Sequence, residues 1–191
     1  MNIRKITSLV LVFVFVFSFT ACKKTDVPEL DRILNYSVEQ FDDLASSVDE
    51  KDLIKAWGEP QALGSRRFWR ISVEGETTKF VVAWVENGNV TSIHVSKPLF
   101  INVAAIENGV AYCVFGWNYY STDAANLAFM PTQDCFGNEI ACEVGDQFIF
   151  QFDGMIMESY PAQINAPYSA VRMGHLSDEE ISEMASNIVL P

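Results

Sequence analysis

Four cysteines, two histidines and one short polar run mark the places where this chain could do chemistry. The polar run is "ESYPAQ", Glu158 to Gln163, reached through the apolar alternating stretch "FIFQFDG". Pro161 fixes φ and removes a hydrogen-bond donor, and it pushes Tyr160 to extended backbone, so a strand entering here must stop. Turn chemistry already explains these residue types. The segment is therefore expected to be scaffold, with the Tyr160 ring capping an open barrel end and its hydroxyl finding a backbone partner. The functional alternative makes Glu158, Ser159 and Gln163 a polar ligand cluster at a barrel mouth. Arg172 is the only cation among residues 98–191 and is expected to pair with Glu158 or Asp153.

Signatures of catalysis are missing from the sequence. There is no Gly-x-Ser-x-Gly elbow, no phosphate loop and no EF-hand spacing. No Cys-x-x-Cys occurs, and His94 and His175 alone give a zinc site little to work with. No cofactor or metal is expected. A glycosidase-like carboxylate pair is the enzyme reading left open, because acids are plentiful. Cys135 and Cys142 bracket the loop "FGNEIA" and are the candidate disulfide; Cys113, on one strand face with Phe115 and Trp117, reads as a buried apolar thiol. In "FGWNYYSTD", Tyr119 and Tyr120 point to opposite faces if the chain is extended, so at least one is expected to be exposed. They are a candidate binding surface for a sugar or a protein, though aromatics of this kind are also common in cores.

Cys22 has a different setting. Arg4 and Lys5 precede an apolar run, Ile6 to Phe19, that is shorter than the roughly 20 residues a spanning helix needs. A basic start, a short apolar core and small residues at the end make a secretory signal over residues 1–21. The end, "FTAC", resembles the lipobox of bacterial lipoproteins, with Phe19 where Leu is usual. The resemblance implies a diacylglycerol on the Cys22 thiol, cleavage just before it, and anchoring on the outer side of the cell membrane. Lys23 and Lys24 would then meet anionic headgroups. Residues 22–36 carry no net charge and residues 37–97 carry −3, whereas residues 98–191 hold Arg172 against twelve carboxylates, net −11. Such a surface repels phosphate backbones, which argues against a nucleic-acid partner.

The elements follow from local signals. Residues 22–36 read as a polar tether. Ser37 and Gln40 form a capping box, with Tyr36 and Phe41 as its staple, and Asp49 starts a second helix that Gly58 ends. "RRFWRISV", "KFVVAWV" and "VTSIHVS" are strands, the last two joined by Asn87-Gly88, the strongest short hairpin signal. Residues 37–97 are thus expected to be two short helices on a three-stranded antiparallel meander, an α+β domain. On "DEKDLIKAWGEP", "FWRI" and "WVENGNV" this part resembles the envelope domains of the BamE (SmpA/OmlA) type and β-lactamase inhibitory protein. The resemblance implies a module that binds proteins. Residues 98–191 read as short strands broken by Asn108-Gly109, Gly145-Asp146 and Asp153-Gly154, which suggests a small barrel of the OB type. "VGDQFIFQFDGMIMESYPAQI" resembles the YobA-like family of secreted proteins, which lends no activity. Ser177 and Glu180 open a last helix whose docking face is Ile181, Met184, Ala185 and Ile188. The function expected is a membrane-anchored, extracytoplasmic module that binds a protein or cell-wall ligand, acting in one variant as an inhibitor. The alternative is a carboxylate-dependent cell-surface hydrolase.

Overall fold

In a computed structural model the chain is described over residues 26–72, 78–116 and 127–191. These residues form an α+β arrangement with two sheets, of four and seven strands.

The helices start where the caps place them. Helix α1 (Val38–Ser47) opens on Ser37, whose Oγ accepts from the Gln40 amide while the Gln40 side chain accepts from the Ser37 amide. The Tyr36 and Phe41 rings meet at 5.6 Å, the expected staple. Asp49 and Asp52 make the same reciprocal pair at the start of α2 (Glu50–Trp57), which Gly58 closes at φ +83°. Ser177 and Glu180 do so for α3 (Asp178–Asn187).

The first sheet runs β1 (Gln61–Leu63), β2 (Arg66–Ile71), β3 (Lys79–Glu86) and β4 (Asn89–Val95) in that order, all antiparallel. It therefore has four strands where three were expected. The chain turns back at Gly64, and β1, only three residues long, pairs with β2 through its backbone. Asn87 and Gly88 both take positive φ, as a two-residue hairpin turn requires. Trp69, Val81, Ala83 and Ile93 face the helices and pack on Leu44, Ala45, Val48 and Leu53. The other face, with Phe68, Phe80 and Val82, packs on Tyr168, Cys135 and Phe136 from the second half of the chain.

Residues 26–36 are not a free tether. Ile33 has no exposed surface, Val27, Leu30 and Tyr36 pack on the same core, and the Trp57 indole donates to the Pro28 carbonyl at 2.7 Å. A short 3-10 turn, Arg32–Asn35, carries Ile33 inward.

The second sheet contains β5 (Lys97–Glu107), β6 (Val110–Phe115), β7 (Leu127–Phe129), β8 (Asp146–Phe152), β9 (Ile156–Met157), β10 (Ala162–Ile164) and β11 (Ser169–His175). Their order is β11-β8-β5-β6-β7-β10-β9, with β10 parallel to β7 and every other pair antiparallel. β11 and β9 lie at opposite ends and do not pair, so no closed barrel forms among the described residues. Closure would need a long last strand, and β9 offers two residues. One face carries Ile101, Val103, Phe148 and Phe150 into a core completed by Met130, Ile140 and Ile164. α3 covers part of the other face through Ala104, Val114, Leu127 and Met184. The halves are also joined by polar groups. The Phe80 amide donates to Ser96 Oγ, which donates to Gln151 Oε1, all buried, and His94 Nε2 meets the Tyr168 hydroxyl at 3.0 Å.

Candidate functional site: a groove beside the C-terminal helix

Strand alternation sends Ile101 and Phe148 to the core and leaves Phe100, Asn102, Gln147 and Ile149 on the opposite face of β5 and β8. The register sets Phe100 against Ile149 and Asn102 against Gln147. The Gln147 amide donates to Asn102 Oδ1 at 2.9 Å, so two side-chain amides meet in an otherwise apolar setting. α3 stops short of this part of the sheet. The uncovered area is a groove of about 210 Å³, lined by Phe100, Asn102, Gly116, Gln147, Ile149 and Met173. An apolar floor with a few placed polar groups is the usual make-up of a recognition site.

The groove is bounded by β11, the end strand of the sheet. Val171 and Met173 on it are 43% and 56% exposed, unusual for large apolar side chains on a strand without a second neighbour. The pairing shifts between Arg172 and Gly174, a bulge that re-aims Met173.

One buried carboxylate fixes this edge. Asp146 at the start of β8 is 1% exposed, and His175 lies opposite it in the register. Its Oδ1 receives His175 Nδ1 at 2.8 Å and also meets the Arg172 guanidinium, while Oδ2 accepts from the Glu143 amide at 3.0 Å. Burial alone would raise the Asp146 pKa, but the His175 hydrogen bond, the Glu143 amide and Arg172 together hold it below the ordinary carboxylate value. The expected partners of Arg172 are corrected accordingly. Glu158 is exposed, and Asp153 instead accepts from Asn165 at 2.9 Å and from the Met155 amide. Antiparallel pairing of β8 with β11 brings Arg172 to Asp146, which the sequence shows only as part of a Gly-Asp turn. An Asp–His pair can orient a general base. Here no serine, threonine or cysteine bonds to the His175 ring among the described residues, and Arg172 shares the same carboxylate. The cluster ties the start of β8 to the end of β11.

The residues singled out in the sequence do not converge. Cys22, Tyr119 and Tyr120 lie outside the described residues. Glu158, Ser159 and Gln163 are exposed around β9 and β10, at the other end of the strand order from β11. Ser159 Oγ donates to the Pro161 carbonyl at 2.7 Å, a turn contact. Tyr160 is 54% exposed and caps no barrel, though its hydroxyl does find a backbone acceptor, Val189 O at 2.7 Å. The Tyr160–Pro161 peptide is cis.

The expected Cys135–Cys142 disulfide is not formed; Cys113, Cys135 and Cys142 are free thiols. Asp134 accepts from the Phe136 and Asn138 amides and holds the loop tightly. Cys135 is thereby sent to the cluster between the sheets and Cys142 to the core that contains Cys113. Burial pushes the Cys113 thiol up to about 12 and that of Cys135 up to about 11. Both shifts disfavour the thiolate, the form that acts as a nucleophile.

No described helix is long and apolar enough to cross a membrane, and the described residues hold no cluster of metal-ligating side chains. The chain matches no known family model, no characterised protein and no solved structure.

Proposed function

We propose that this protein is a lipid-anchored, extracytoplasmic lipoprotein that binds a polypeptide partner through the groove that β5 and β8 form beside β11. The groove itself carries the proposal. An amide pair, Asn102 and Gln147, sits on an apolar floor beside an end strand whose Val171 and Met173 are in water. An extended segment can add to such a strand by main-chain hydrogen bonds and place alternate side chains in the groove. The net charge of −11 over residues 98–191 favours a partner that is basic around its contact segment. The N-terminal signal with Cys22 supports the anchor.

A photocrosslinking side chain at position 173, in the full-length protein on intact cells, tests the site. It is expected to capture a discrete protein partner, with a yield that falls as salt rises. The same group at position 163 is expected to capture none. Capture from position 163 and not from position 173 would move the site to the "ESYPAQ" segment and overturn the groove.

A further inference from the structure

We infer that the lipidated protein is held against the bilayer in one orientation, with the N-terminal strap and the adjoining flank of α2 on the lipid surface. The inference rests on the anchor at Cys22 and adds what the fold imposes on it.

From Val27 onward the chain belongs to the folded core, through Val27, Leu30, Ile33, Tyr36 and the Trp57–Pro28 hydrogen bond. Only Lys23, Lys24, Thr25 and Asp26 separate Cys22 from that strap. Five Cα–Cα steps span at most about 17 Å when fully extended. A leash that short cannot let a two-sheet protein turn freely over its anchor. The side that meets the lipid is therefore the side where the strap begins, and Lys55 and Ala56 of α2 line the cleft beside it.

Charge favours the same pose. Lys23 and Lys24 follow Cys22 in the sequence and residues 22–36 carry no net charge, while residues 98–191 carry −11. An anionic leaflet repels the acidic half and tolerates the neutral end. The strap packs on the helix side of the first sheet, and the second half packs on that sheet's other face. The second half of the chain is thus held on the side of the first sheet away from the lipid.

Lipidated full-length protein, in vesicles of phosphatidylglycerol and phosphatidylethanolamine carrying a headgroup quencher, provides the test. A thiol-directed fluorophore is placed by Lys55→Cys or by Val171→Cys, each with Cys135→Ser and Cys142→Ser. Emission from position 55 is expected to be quenched several-fold more than emission from position 171. A long Gly/Ser insertion between Lys24 and Thr25, which leaves the folded part untouched, should abolish that difference. Equal quenching at the two positions in fully vesicle-bound protein overturns the orientation while leaving the anchor in place. Protein that stays in the supernatant removes the anchor, and the inference with it.

Discussion

The two sheets use their faces differently. The first is covered on both sides, by α1, α2 and the strap on one and by Tyr168, Cys135 and Phe136 on the other. The second has one closed core face and one face that α3 covers only in part. A sheet closed on both sides is committed to stability. A face left partly open beside an end strand retains apolar surface that folding has not used, and that is where recognition can occur.

The contrast can be broken by substitution on its two sides. Phe80→Ala and Phe150→Ala empty fully buried positions, one in each sheet, and each is expected to cost about 3–5 kcal/mol in a denaturant melt. If Phe150→Ala is as mild as a surface change, the core of the second sheet has been misplaced.

Acid is expected to act next most strongly. Burial holds the His94 pKa below its ordinary 6.5, with Asp153 opposing and Arg66 and Lys97 adding to the shift. The unfolded chain then takes up this proton first, so stability is complete above about pH 6.5 and declines as pH falls below it. Asp146, also held below its ordinary 3.8, adds a second loss as pH drops through that range. In melts taken across pH, His94→Gln should flatten the upper part of the decline and Asp146→Asn the lower. An unchanged slope in either variant removes that group from the account.

Smaller effects belong to the exposed features. Tyr160→Phe deletes one hydrogen bond to Val189 and is expected to cost about 0.5–1.5 kcal/mol. Met173→Ser, at an exposed site, should leave the melt within about 0.5 kcal/mol while greatly weakening capture of the partner by a photocrosslinking side chain at position 171. A large loss of stability there would mean that the groove is core.

Signals confined to a few residues were readable from the sequence. Ser37–Gln40, the Asp49 cap and Ser177–Glu180 each settle a helix start within four positions. Asn87-Gly88 and Asn108-Gly109 settle two turns. Long-range pairing was not readable. The parallel match of β10 with β7, which sets the order of an open sheet, depends on where distant chain segments meet, and nothing in "AQI" or "LAF" announces it. The groove has the same origin, since Asn102 and Gln147 are joined across 45 positions. The strap did leave a trace. Val27, Leu30, Ile33 and Tyr36 recur every three residues, a spacing that the charged residues among them obscured.

The buried chain from the Phe80 amide through Ser96 Oγ to Gln151 Oε1 bears on how the molecule comes apart. The Ser96–Gln151 bond crosses between the halves, so separating the sheets would break it and open the buried Phe80–Ser96 pair to water. The halves should lose structure in one concerted transition, with the calorimetric and van't Hoff enthalpies in agreement. A ligand seated in the groove would then raise the resistance of the helix-covered sheet to heat and proteolysis as well as that of its own.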